Sequence, residues 1–435
     1  MKIVMKKLFL LTIVTITAMI MNACNESKKN APLQPEQNDD PVVVDVQNPG
    51  VMRTPKAMNF ATAEEQLKYR TNEFSFNLLS LVSAQESEPN LILSPLSASM
   101  MLGMVMSGAT GETLKQLQKA LGFKGLTEEE INAYYKTLIE ELPKLDNSTI
   151  VKIANSIWVD GAFPILPEFV QANQEVFNAT AQNVEMADPV TANIINRWAD
   201  DNTNHLITDI VKPEMIRNAI MILANALYFK GKWETEFKKS STYKHDFTLR
   251  SGEVKKVDMM WLSEEGFEYA DLPNGQLLEL NYKGGQYCMD ILLPKKGLDI
   301  KEMLADLTLD EWEAALSDMH YMTVNVGLPK VKLRYNRDLT EDLQAAGIKR
   351  AFEANAQFSR VSPVPTFLGW VKQFCYMAVD EEGTEAAAVT VGEYECTAIP
   401  VDRVFIADRP YLMVIREKKF GSILFVAEVG EPSFE

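Results

Sequence analysis

Cysteine and histidine are scarce in this chain of 435 residues: four cysteines, at 24, 288, 375 and 396, and three histidines, at 205, 245 and 320. No two cysteines form a CxxC pair and the histidines are far apart, so a structural zinc site has no ligand set to draw on, and no metal is expected. The chain also lacks the phosphate-cradling GxxxxGKS, the zinc-protease HExxH and the nucleophile-elbow GxSxG. These absences speak against an enzyme, and no cofactor is implied. Positive charge is short too: 43 Lys and Arg against 60 Asp and Glu leave a formal net charge of −17. Such a surface repels phosphate backbones, which excludes nucleic acid as a partner; otherwise it serves solubility.

An apolar run from Leu8 to Met21 follows the positive opening of Lys2, Lys6 and Lys7. It is short for a membrane span, which needs about 20 residues, and fits a secretory signal. The run stops at Met21-Asn22-Ala23-Cys24. A small residue directly before a cysteine resembles a bacterial lipobox, although Met21 and Asn22 depart from the commonest leucine-small pattern. Residues 1–23 are therefore expected to be a lipoprotein signal peptide, with Cys24 becoming the acylated N-terminus. Residues 24–58, rich in Asn, Gln, Glu, Asp and Pro, cannot bury enough apolar surface to order themselves. As a flexible coil their ends lie roughly 30 Å apart, which holds the folded part just off a membrane. The expected location is a lipid-anchored position at the outer membrane or surface of a bacterium.

Residues 59–435 read as one domain, with no second linker and no internal repeat. Hydrophobic content of 46% makes a sizeable core easy to build. Leu67, Phe74, Leu78 and Leu81 give a helical spacing over 64–82, and Ser94-Pro95 caps and opens a second helix through about Gly108. That helix is apolar nearly all round, so it belongs inside, and its methionine stripe reads as core packing. Further helices are expected at 113–121, 128–142 and 167–177. Extended runs follow at 150–159, 219–229, 288–293, 371–379, 411–416 and 422–429. The run 219–229 is apolar on both faces and so belongs to a central strand covered on both sides. The order of elements predicts an α+β domain built on one large sheet.

Several stretches, in order, resemble one family, the serpins. NLILSPLSASMMLGMVMSGATGET (90–113) is similar to the family's buried helix, ANSIWVD (154–160) and LANALYFKGKWETEF (223–237) to two strands of its central sheet, and FIADRPYLM (405–413) to its C-terminal signature. The match runs from about residue 64 to 432. The resemblance implies the serpin fold, with three β-sheets, a large central one, eight to nine helices and an exposed reactive-centre loop. It implies a suicide inhibitor of serine proteases, and of some cysteine proteases, acting as a monomer. Ser94, Ser97, Asn225 and Gln373 would fall in the polar cluster beneath the opening point of the central sheet. Trp233 would sit near the top of that sheet, and Lys330 would pair with Glu381 beside the hinge. Gln373 stands where most members carry histidine, so this position does not titrate. Tyr411 replaces the usual phenylalanine and needs a partner for one hydroxyl.

EEGTEAAA, from Glu381 and Glu382 through Gly383, Thr384 and Glu385 to Ala386, Ala387 and Ala388, occupies the family's hinge. Small neutral side chains suit a segment that leaves water and enters a sheet as a new strand. Side chains alternate across a strand. Positions 384, 386, 388, 390, 392, 394 and 396 carry no charge, while Glu385, Glu393 and Glu395 take the other parity and are expected to face solvent. Counting from the hinge places the scissile bond at Thr397-Ala398; counting back from the C-terminal signature points to Ile399. Thr397 with Cys396 beside it is small and uncharged, as an elastase-like pocket requires. Tyr394-Glu395 would suit a chymotrypsin-like enzyme but would shorten the inserted strand. No Arg or Lys lies between 381 and 402, which disfavours trypsin-like targets. Cys288 and Cys375 are expected to be buried free thiols, and Cys396 to be open to oxidation. The competing expectation is a binding protein of the same fold whose loop is only a substrate.

Overall fold

The stretch 95–108, apolar on nearly every side, is the helix around which the rest is laid. In a computed structural model the chain is described over residues 58–384 and 403–434. It opens with α1 (Ala63–Gln85), β1 (Asn90–Leu93), α2 (Pro95–Gly108), α3 (Gly111–Ala120) and α4 (Glu128–Glu141). Next come β2 (Thr149–Asp160), α5 (Pro167–Phe177), β3 (Ala179–Val184), α6 (Pro189–Asn202), the short α7 (Pro213–Ile216) and β4 (Met221–Lys232). A run of strands follows: β5 (Thr242–Thr248), β6 (Val254–Leu272), β7 (Gly275–Asn281) and β8 (Tyr287–Pro294). Then α8 (Ile300–Asp306), α9 (Leu309–Ser317), β9 (His320–Pro329), β10 (Val331–Asp338) and α10 (Thr340–Ala345) lead to β11 (Lys372–Asp380) and β12 (Gly383–Thr384). The chain closes with β13 (Arg403–Ile406), β14 (Tyr411–Glu417) and β15 (Ile423–Val429).

The fold is α+β, as the sequence predicts. One sheet has the order β10-β11-β12-β4-β2-β3, antiparallel except for the β2–β3 pair. The other runs β1-β15-β14-β8-β7-β6-β9-β13, with β5 on the flank of β6. The two smaller sheets implied by the family resemblance are thus hydrogen-bonded into one, because the long β6 serves both. Along β6 the register against β9 shifts between Leu262 and Glu265. Ten α-helices stand among the described residues rather than eight or nine, the surplus being short turns such as α7.

Pro95 lacks only an N–H that the first turn leaves unpaired anyway. Along α2 every residue but Ser107 is buried, because the helix packs on β4 with one side and on β15 with another. Met100, Met101 and Met104 fill core, as expected. Ser94 stands at the helix cap but does not cap with its side chain: Oγ donates to Leu424 O at 2.9 Å, since β15 lies against it. On the opposite face of the six-stranded sheet α6 lays Ala192, Ile195 and Ala199 against Trp158, Ile222 and Ala224. Both faces of β4 are therefore covered around residues 221–229, which is why that part of its sequence is apolar except for Asn225.

Candidate functional site

Where β11 ends, the chain turns through Asp380 to Glu382 and re-enters the six-stranded sheet as β12. Gly383 pairs with Lys232 and Asp380, and Thr384 with Gly231 and Val379. The turn is held from β4 and the segment after it. The Trp233 indole N–H donates to Asp380 O at 2.9 Å, the Trp233 backbone N–H to Glu382 O at 3.0 Å, and the Phe237 N–H to Glu381 O at 2.9 Å. Trp233 itself is buried and stacked on Tyr282, ring centroids 4.7 Å apart. Tyr282 also reaches the hinge, its hydroxyl 2.6 Å from Thr384 Oγ1. A Cβ on Gly383 would lie 2.1 Å from Gly231 O, so only glycine lets the strands close here.

The hinge acids are buried rather than exposed. Glu381 is only 4% exposed, and it accepts from Lys330 Nζ at 2.7 Å and from Thr242 Oγ1 at 2.8 Å. Burial alone would push this carboxyl up; the Lys330 ammonium, a backbone N–H and the Thr242 hydroxyl outweigh it and hold the group below its ordinary value. Glu382 accepts from Lys239 Nζ at 2.8 Å. Asp380, pressed by burial, is shifted upward despite the Glu382 N–H and Lys330. The expected Lys330–Glu381 pair therefore exists, but it belongs with Trp233 to the turn and not to the polar cluster deeper in the sheet.

That deeper cluster forms in two parts. Gln373 grips the start of α2, with Nε2 donating to Ser94 O at 2.6 Å and Oε1 accepting from the Ser94 N–H at 3.2 Å. Ser97 Oγ bonds Asn225 Oδ1, and Asn225 Nδ2 donates to Asn155 Oδ1 at 2.7 Å. Asn155 Nδ2 continues to Phe177 O at 2.6 Å. The chain Ser97–Asn225–Asn155 thus ties α2, β4, β2 and the end of α5 together. Asn155 and Tyr282 were not anticipated. Asn155 had a signal, a polar residue inside the strand motif ANSIWVD, whereas nothing local marks Tyr282.

The seam between β4 and β11 below Thr384 is occupied from the α6 side. Two cavities of about 20 and 10 Å³ lie along it, room for roughly one water each. Thr203 and Ile207, just past α6, line both, opposite Leu227 of β4. Asn204 and His205 between them hold left-handed backbone, φ 53° and 64°. Asn and His are among the non-glycine residues that take this conformation most readily, and here it turns Leu206 and Ile207 back toward the seam.

Cys288 and Cys375 are buried free thiols, as expected. The Tyr411 hydroxyl is buried with no hydrogen-bond partner among the described residues, so the partner its sequence position calls for is not supplied there. Among the described residues two groups could offer three ligand atoms to a metal: Asp200, Asp201 and His205 at the surface, and Glu279, Cys288 and Asp290 inside. In the inner group Arg416 already pairs with both carboxylates. Glu385, Ala386, Ala387 and Ala388 of the hinge, the candidate bond residues Tyr394, Glu395, Cys396, Thr397, Ala398 and Ile399, and Cys24 lie outside the described residues. Among the described residues no helix is long and apolar enough to cross a membrane.

A model of the family described as Serpin (serine protease inhibitor) matches residues 69–432. The chain is a serpin. It is 32% identical over 380 residues to leukocyte elastase inhibitor of Bos taurus, a match covering 85% of this chain and all of that one. Iripin-2 of Ixodes ricinus is 31% identical, covering 86% of this chain and 95% of the relative. Native tengpin, a thermophilic serpin, superposes with a TM-score of 0.76 at 28% identity, over 87% of this chain and 96% of that one. Cleaved Serpin 42Da gives 0.76 at 30% identity, over 86% and 100%. This serpin is accordingly an inhibitor of serine proteases rather than a catalyst.

Proposed function

We propose that this serpin traps elastase-like serine proteases, and some cysteine proteases, as covalent complexes driven by insertion of its loop between β11 and β4. The observation that carries the reading is β12: two hinge residues already pair on both sides, with Thr384 turned to the core. The protease serine attacks the Thr397 carbonyl carbon, the bond to Ala398 breaks, and its amine leaves with the proton relayed by the protease histidine. The ester stays on the inserting strand. At about 3.3 Å per residue, fourteen residues drag the protease some 46 Å and distort its oxyanion hole before water can release it. Continued in the register of β12, Thr390 would stand opposite Asn225 and Gln373, at the level of the polar cluster. Thr397 is small and uncharged, which fits the target named by the elastase-inhibitor relatives.

Export and acylation of Cys24, with anchoring at the outer membrane or cell surface, form part of the same proposal, as does a monomeric state. They are supported by the opening MKIVMKKLFLLTIVTITAMIMNAC and the polar segment after it. The protein mixed with pancreatic elastase, chymotrypsin and trypsin and run on denaturing gels tests the inhibitory reading. A band at the summed mass, with the released peptide beginning at Ala398, is the expected result. Cleaved serpin with every protease still active would overturn it.

One observation favours the second reading, a serpin whose loop is only a substrate. The outer face of the sheet is only partly open to solvent: Ile150 is exposed, but α6 and its apolar cluster cover the part around Trp158, Ile222 and Ala224. In the β12 register Glu393 would arrive level with Ile222 and Trp370, both in that cluster. The alternating acids are thus not simply shown to water, and this one resists full insertion. Glu393→Ala is expected to raise the trapped fraction of protease severalfold. No gain from the substitution would mean that the strand does not travel that far, or not in this register.

A further inference from the structure

Of the large apolar side chains that the described residues expose, three fall on one face of the nine-stranded sheet: Tyr321 at 74% exposure, Tyr243 at 54% and Val404 at 51%. The pairing shows that they share a face. Val404 stands beside Asn325 and Ile406 beside Gly327, which in turn pairs with Trp261. A Cβ on Gly327 would touch Trp261 at 2.9 Å and Ile406 at 3.3 Å, so these two side chains meet over the glycine. Tyr243 stacks on Trp261, centroids 5.5 Å apart and planes 12° apart. At the far end the Tyr321 ring lies over Gly266. At about 4.8 Å between strands and 3.3 Å per residue, the strip from Tyr243 to Tyr321 measures roughly 14 by 20 Å. One acid shares the face: Glu268 of β6 stands directly beside Tyr321.

We propose that this strip is a docking surface for the body of the target protease, on the primed side of its cleft. This rests on the reading of the chain as a protease-directed serpin. Arg403 is the first described residue after the loop, and Val404 follows it. Only six residues separate Ala398 from Val404, a reach of at most about 20 Å. A protease domain of some 200 residues has a radius of about 20 Å. An enzyme holding the bond near Thr397 must therefore overhang the strip. An area of roughly 300 Å² is far below the approximately 800 Å² per partner of a stable complex. A second copy would not be held by it, whereas a protease already bound to the loop needs only a supplement. The fitting partner surface is apolar or aromatic at its centre, with a basic side chain at one end to meet Glu268.

The test uses pancreatic elastase and chymotrypsin on the serpin, on Tyr243→Ser/Tyr321→Ser/Val404→Ser, and on both carrying Thr384→Arg. All three positions are more than half exposed, so the fold tolerates them. In the Thr384→Arg background the loop is a plain substrate, and kcat/KM for its cleavage reads docking without insertion. The triple variant is expected to lose about tenfold in that kcat/KM and a similar factor in the rate of complex formation. Its stoichiometry of inhibition and the cleavage position stay as they were. Ile150→Ser, removing a 47% exposed apolar side chain from β2, is the control and should change neither. Rates within twofold for the triple variant, or an equal loss for Ile150→Ser, would overturn the docking surface. Absence of covalent complexes in every form would instead overturn trapping, and cleavage by neither enzyme the choice of protease class.

Discussion

At position 383 a side chain has nowhere to go, and at 384 it has one partner. The Gly383 Cβ direction runs into the Gly231 carbonyl, and the Thr384 hydroxyl meets Tyr282 in a buried pocket. Thr384→Arg is therefore expected to convert the inhibitor into a substrate, because a buried unpaired guanidinium costs several kcal/mol. Denaturing gels of the variant with elastase should show cleaved serpin and free protease; trapping at the wild-type ratio would sink the insertion mechanism. Tyr411 offers a second reading at this scale. Its hydroxyl is buried without a partner, and burial pushes its pKa up. Tyr411→Phe keeps the ring contact with Phe247 and is expected to stabilise the fold by about 1 kcal/mol, measured as a higher urea midpoint at unchanged slope.

Two elements share the seam of the six-stranded sheet. From above it is held by β12; from the side it is filled by the segment that leaves α6, with Ile207 against both small cavities. The left-handed residues Asn204 and His205 turn the chain so that Leu206 and Ile207 lie at the seam an arriving strand would take. Ile207→Ala removes part of the filling. The expected outcome is faster trapping of elastase, together with faster spontaneous loss of inhibitory activity on warm incubation. Unchanged values for both would mean that the segment does not compete with the loop. Most elements were legible from periodicity: α2, α4 and α5 lie within a residue or two of their expected ends. The role of Ser94 was not, because a side-chain oxygen at a cap position bonds whatever packs beside it, and here that is β15.

For the whole molecule, the buried ion pair at the hinge sets a pH dependence. Glu381 has its pKa lowered in the folded state, below the unfolded value of about 4.3. Its contribution is therefore complete above that value and is lost as pH falls through the folded pKa. Glu381→Gln is expected to be less stable than wild type at pH 7, with the difference shrinking once pH falls below the unfolded value and vanishing below the lowered folded pKa, where the protonated glutamate resembles glutamine. Thermal midpoints of both proteins across this range check it; a gap that persisted in acid would show that charge is not the cause. The polar cluster adds no such dependence, since Gln373 does not titrate. The family and its hinge were legible because each motif is contiguous in sequence: 90–113, 154–160, 223–237, 381–390 and 405–413. What faces the hinge was not legible, since Thr242 comes from β5 and Tyr282 from just past β7, both more than ninety residues from it in the chain.

The sequence by itself determined the local and periodic facts: an apolar helix that must be buried, a central strand covered on both faces, a glycine and small residues in the hinge, and no charge on one parity of the stretch from 384 to 396. These depend on backbone geometry and on the cost of burying charge, which act over a few residues. Only the tertiary structure decided three further matters. Glu381 and Glu382 lie buried against lysines, α6 covers the face on which Glu393 would arrive, and Tyr243, Trp261, Val404 and Tyr321 line one face beside the loop. Each depends on which distant strands become neighbours, and pairing between strands is settled by the packing of the whole core rather than by any one segment.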